Sequence, residues 1–139
     1  MFKNILVPVD FLEDNVQAVK IAVDMAFRTK GAVTLLHVIE IIAGSSFKEF
    51  QEFYAKIEQD SQKKLESLVA PHETGVINIE TRIVYGNRTE EILSHAEKNK
   101  IDLIILNSHR INFDNPTSGW GTISHKVGLL SQCPVMLVK

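Results

Sequence analysis

Strands and helices alternate along this chain, which predicts an α/β fold with a parallel sheet and helices on both faces. Three observations carry the prediction. Apolar runs of strand length recur at residues 5–9, 32–38, 76–85, 101–106 and 135–138. The longer segments between them carry apolar residues at helical spacing. The 139 residues are 45% hydrophobic and 23% charged, a globular composition with enough apolar material for a core. No internal repeat, linker or low-complexity segment interrupts them, so a single domain over 1–139 is expected.

The elements follow in order. Ile5-Leu6-Val7-Pro8-Val9 is the first strand and ends at Asp10. A helix over 16–27 places Val16, Val19, Val23 and Ala26 on one stripe, and Gly31 is positioned to stop it. Residues 32–38 form the second strand. A long helix over 45–68 carries Phe47, Phe50, Tyr54, Ile57, Leu65 and Leu68 on or near one face, and Ser46 and Glu49 have capping-box spacing. Residues 76–85 mix polar and apolar positions, the pattern of a strand near the sheet edge. Gly86-Asn87 turns into a helix over 89–99 that buries Ile92, Leu93 and Ala96. Residues 101–106 are almost wholly apolar, which predicts a central strand. A polar loop, a helix over 121–130 and the last strand, 135–138, complete the chain.

Composition narrows the function. A net charge of −2 gives no electrostatic footprint for nucleic acid. No apolar run approaches the roughly 20 residues that span a bilayer. The N-terminal apolar run is too short for a signal peptide and is broken by Asp10. One cysteine, Cys133, suits a cytoplasmic protein and reads as a packed small hydrophobe. The five histidines have no metal-ligand spacing. His37, inside a strand, reads as a buried, hydrogen-bonded histidine. There is no G-x-x-x-x-G-K-[S/T] loop and no G-x-S-x-G elbow. Phe11-Leu12-Glu13-Asp14 is too bulky and acidic for the phosphate loop of a flavin carrier, and a phosphorylation receiver needs an acidic cluster where only Asp10 stands at the expected strand end.

In open parallel sheets, ligands bind beyond the carboxyl ends of the strands where the strand order reverses. The first and fourth strands are the candidates to flank that point. Pro8, Val9 and Asp10 would then face the segment from Asn107 to Thr122, and the loop after the second strand would form a side wall. Gly121-Thr122 opens a helix, where free N–H groups and the helix dipole attract anions. It can also be an ordinary helix start, since threonine is a common N-cap. Asp10 can likewise simply cap a turn. Asp114-Asn115-Pro116 reads as a turn, and Trp120 as a core plug or a ligand cover.

These residues resemble a known family. The chain is similar to universal stress proteins over its whole length, through ILVPVD, LLHV, GNRTEEIL, DLIILNSH and the closing GT…CPVMLV. The resemblance implies a five-strand parallel sheet in the order 3-2-1-4-5, of the adenine nucleotide alpha hydrolase-like type. It implies an adenine nucleotide, ATP first among them and with Mg²⁺ as a possible companion, and a regulatory role in stress response. The implied nucleotide-binding residues are Pro8, Val9, Asp10, Val38, Leu106, Asn107, His109, Arg110, Gly121, Thr122 and Ile123. Asp10 would take the ribose hydroxyls, and the backbone of Val38 the adenine. A homodimer through the last strand, Val135, Met136, Leu137 and Val138, is also implied, and an apolar sheet edge fits it.

Nucleotide-binding members resemble G-x2-G-x9-G-[S/T] after the fourth strand. Here Asn107 and Arg110 stand at the first two glycine positions, and Gly121-Thr122 keeps the end of the motif with one extra residue in the gap. Two consequences are open. Side chains at those positions can fill space that glycine leaves for a phosphate. Alternatively, Arg110 can supply a guanidinium fork, with His109 as a second donor. The first outcome would leave a protein-interaction module without nucleotide. No general base is evident, so slow ATP hydrolysis is the most enzymatic behaviour expected.

Overall fold

The computed structural model describes residues 1–11, 15–41, 44, 46, 48–108, 113–115 and 122–139. Its strands are β1 (Asn4–Pro8), β2 (Ala32–Ile39), β3 (Asn78–Tyr85), β4 (Leu103–Asn107) and β5 (Val135–Val138). Its helices are α1 (Asn15–Thr29), α2 (Gln51–Val69), α3 (Arg88–Lys98) and α4 (Ile123–Leu130), with one 3-10 turn, Ala70–His72, after α2. The five strands form one sheet in the order β3-β2-β1-β4-β5, and every neighbouring pair is parallel.

Strand side chains alternate between two buried layers, because successive residues point to opposite faces. Ile5, Val7, Val33, Leu35, Leu103 and Ile105 pack against Ala18, Val19 and Ala22 of α1 and Leu65 and Val69 of α2. Leu6, Leu36, Val38, Ile104 and Leu106 pack against Ile92 and Ala96 of α3 and Val127 of α4. β1 and β4 are therefore apolar on both faces, which explains their unbroken apolar runs. β3 lies at an edge and mixes exposed with half-buried residues, as its alternation predicts.

Several local expectations change. The α1 stripe is rotated: Val16 is exposed, and Asn15, Ala18, Val19, Ala22 and Ala26 are the buried positions. Small alanines let α1 approach the sheet closely, so propensity for close packing outranks side-chain size. Gly31 does not supply the left-handed end of α1; Lys30 does, with φ 58°. Gly31 is needed because a Cβ there would meet the Lys3 carbonyl oxygen at 2.6 Å. The chain passes that close to β1 because Ala32 N–H donates to the same oxygen at 2.8 Å. α2 begins at Gln51 and not at residue 45. Ser46 Oγ does accept from the Glu49 N–H at 3.1 Å, but that bond closes a turn ahead of the helix. Phe50 is exposed, while Tyr54 is buried. Phe47 lies outside the described residues.

Candidate functional site

The sheet order reverses between β1 and β4: the chain moves outward from β1 through β2 to β3, then crosses to β4 and β5. A small crevice of about 50 Å³, partly open to solvent, lies at that reversal. Pro8, Val9, Asp10, Val38, Leu106, Asn107 and Ile123 line it, and all seven are sequence-predicted site residues. Thr122 sits next to them as the N-cap of α4. His109, Arg110, Gly121 and Trp120 lie outside the described residues, as do Leu12, Glu13 and Asp14.

Four further residues line the crevice: Asn15, Leu36, Arg88 and Ile92. Leu36 could be found from Val38, since residues two apart share a strand face. Arg88 could be found from Gly86-Asn87, because that turn starts α3 at the carboxyl edge of the sheet. Asn87 is the N-cap there, its side chain accepting from the Glu90 N–H at 3.0 Å. Arg88 is half-buried and has no ion-pair partner among the described residues.

The two sides of the crevice differ in chemistry. On one side, buried Leu36, Val38, Ile92 and Leu106 form an apolar floor. Above it, Val9 N–H continues the β1 pairing by donating to the Leu36 carbonyl at 2.9 Å. The chain then turns. Asp10 N–H donates to Asn15 Oδ1 at 3.1 Å, tying the turn to the start of α1. Phe11 adopts φ 66°, a left-handed conformation that costs a bulky residue of order 1–3 kcal/mol and persists only where its surroundings hold it. His37 supplies part of that hold. Its Nδ1 donates to the Val9 carbonyl at 2.8 Å, and its ring stacks on Phe11 with centroids 4.3 Å apart. Lys64 Nζ covers the Phe11 ring at 5.3 Å. Burial pushes the His37 pKa down; Arg88 and Lys64 add to this, while the Val9 bond and Asp10 oppose it.

On the other side, hydroxyls gather. Ser124 Oγ lies 3.2 Å from Ser108 Oγ and 3.2 Å from Thr122 Oγ1. Thr122 also accepts from the His125 N–H at 3.4 Å, so it caps α4 as an ordinary N-cap would. Ser108 N–H donates to the Val138 carbonyl at 2.8 Å, which fixes the end of β4 to β5. Ser108 falls within the segment expected to face Asp10, while Ser124 lies just beyond it and joins the cluster because the fold brings β4 and α4 together.

Among the described residues, no group of three or more His, Cys, Asp or Glu could hold a metal ion. No described helix is long and apolar enough to cross a membrane. β5 stands at the sheet edge; Leu137 is exposed there, as are Leu129 and Leu130 of α4. Cys133 is half-buried and packs against the α3–α4 layer, as a small apolar residue would.

A five-strand parallel sheet in this order, with a crevice at its reversal, defines a doubly wound α/β fold. The chain belongs to the universal stress protein family, whose model matches residues 1–139. Universal stress protein MJ0577 of Methanocaldococcus jannaschii is 32% identical, over 100% of this chain and 96% of that protein. The solved MJ0577 structure superposes with a TM-score of 0.84 at 31% identity, covering 100% of this chain and 96% of that one. The Archaeoglobus fulgidus universal stress protein in complex with dAMP shares the fold, with a TM-score of 0.70, 16% identity and full coverage of both chains. A universal stress protein in complex with cAMP does so at 0.67 and 18%, over 99% of this chain and 96% of that one.

Proposed function

We propose that this protein binds an adenine nucleotide in the crevice between β1 and β4 and works as a cytoplasmic regulatory homodimer in stress response. The observation that carries the reading is the crevice itself: Asp10 lines it together with an apolar floor, while a hydroxyl cluster opens α4 nearby. Apolar floors accept a base, a carboxylate accepts hydrogen bonds from ribose hydroxyls, and helix N-termini accept phosphate. That two family members are solved with dAMP and cAMP supports the choice of adenine.

The roles follow from residue chemistry. Leu36, Val38 and Ile92 exclude water from one face of the base, and the Val38 backbone addresses its edge. Asp10 orients the ribose. Ser108, Thr122 and Ser124 supply hydroxyls on the phosphate side, where Asn107 brings a side chain in place of a family glycine. Asp10 is the single carboxylate among the described residues lining the crevice, so Mg²⁺ would be held mainly by phosphate oxygens and water. β5, with Leu137, Leu129 and Leu130 exposed around it, is the proposed dimer face.

Thermal unfolding with ATP, ADP, AMP, dAMP and cAMP, each with and without Mg²⁺, tests the reading. A nucleotide at about a hundred times its dissociation constant should stabilise the protein by roughly 2.7 kcal/mol. Asp10→Ala should weaken ribonucleotides by about 1.5–3 kcal/mol, the range for hydrogen bonds to a charged group, and 2′,3′-dideoxynucleotides far less. An unchanged melting temperature with every nucleotide would favour the interaction module instead. A monomer in sedimentation at micromolar concentration would remove the dimer.

A further inference from the structure

His37 touches neither the apolar floor nor the hydroxyl cluster, yet it grips the turn between them. It contacts both neighbours of Asp10, whose charge also acts on it. Its Nδ1 holds the Val9 carbonyl at 2.8 Å, and its ring face holds Phe11 with centroids 4.3 Å apart. His37 is itself only 9% exposed, so its ring is fixed by the strand and the α1–α2 layer. A carbonyl can only accept, so Nδ1 carries a proton and the neutral ring is the Nδ1–H tautomer. The held residue Phe11 is in the left-handed region, at φ 66°. Without a grip, a phenylalanine relaxes from that conformation, and the peptide carrying the Asp10 side chain turns with it.

We propose that His37 is a positioning residue for Asp10: by holding Val9 and Phe11 from beneath, it sets the direction in which the Asp10 carboxylate faces the crevice. This rests on the nucleotide reading for its functional consequence, but the positioning itself exists in the ligand-free protein. His37 acts through Asp10 and makes no contact with a ligand. Its effect on binding therefore vanishes when the Asp10 carboxylate is absent. A residue that merely stabilised the fold would weaken binding equally with or without Asp10.

The test pairs a spectrum with a cycle. In ligand-free protein, nitrogen NMR of the His37 ring should report the Nδ1–H tautomer. In His37→Phe, which keeps a ring and loses the donor, the Asp10 carboxyl and the Asp10 and Phe11 amides should shift. His37→Asn, which keeps a donor near Nδ1, should restore part of the Asp10 signal. AMP affinity should fall about tenfold in His37→Phe, equivalent to about 1.4 kcal/mol. In the Asp10→Ala background the same substitution should change affinity less than twofold. Should His37→Phe not fold, Phe11→Leu removes the ring stack from a half-buried site and should move the same Asp10 resonances. Unmoved Asp10 resonances, the opposite tautomer, or an equal affinity loss in both backgrounds would overturn the proposal. Wild-type protein that binds no nucleotide defeats the nucleotide reading alone, because the tautomer and the Asp10 resonances still decide the positioning.

Discussion

The two sides of the crevice are built from different parts of the fold. The floor side is made of strand ends: Leu36, Val38 and Leu106 are buried core residues and line the crevice at once. The hydroxyl side, beside the crevice, is made of a helix start and a strand terminus, with Ser108, Thr122 and Ser124 only half-buried. The floor's shape is thus tied to global stability, whereas the hydroxyl side can change residue by residue at little cost to the fold. That difference explains why the apolar floor is the easier half to infer.

The largest effect that would break this comparison is in the floor. Leu36→Ala should cost about 2–5 kcal/mol of stability in chemical denaturation, because it leaves a cavity in the α3–α4 layer. A loss under about 1 kcal/mol would mean that the floor is not core. The hydroxyl side should answer differently. Thr122→Ala removes the α4 N-cap and should cost about 1 kcal/mol. Ser124→Ala, outside the cap, should stay within about 0.5 kcal/mol, with its effect appearing in triphosphate affinity instead. A larger stability loss at Ser124 than at Leu36 would reverse the assignment.

The smallest expected effect sharpens the boundary between the two sides. Burial lowers the His37 pKa in the folded protein from its ordinary value of 6.5. Asp10 from the β1 end, Lys64 from α2 and Arg88 from α3 are the charges that act on it. The unfolded chain therefore binds the proton more readily. The His37 contribution is fully present above about pH 6.5 and is lost as pH falls through the folded-state value. Melting temperatures of wild type and His37→Asn, followed from pH 8 to pH 5, should converge as the pH drops. Parallel curves would take His37 out of the pH response.

Much of the fold was legible because its signals are local. The strand runs 5–9 and 101–106 are apolar on both faces, which announces central parallel strands, and β1 and β4 are central. The polar alternation of 76–85 announced an edge, and β3 is one. The helix boundaries were less legible. Ser46 and Glu49 satisfy a local cap rule, yet α2 starts later, because a turn can make the same bond as a helix. Val16 fits a helical stripe by spacing, yet alanines face the sheet, because close packing against β1 and β2 favours the smaller face. In the crevice, Pro8, Val9, Asp10, Val38, Leu106, Asn107 and Ile123 came from the strand-end rule and the family resemblance. Asn15 and Ile92 did not, since each reaches the crevice from a helix whose facing side depends on how it packs on the sheet.

By itself, then, the sequence determined the layer order and the strands that flank the crevice, since alternation and burial are written residue by residue. Only the tertiary structure decided what stands around Asp10. His37 lies 28 positions from Val9 in sequence, yet their hydrogen bond spans 2.8 Å. Arg88 comes from a helix beyond β3, yet it borders the same crevice. Pairings of that kind depend on how parallel strands are brought into register. No local pattern encodes them, because register is settled by the packing of both layers together.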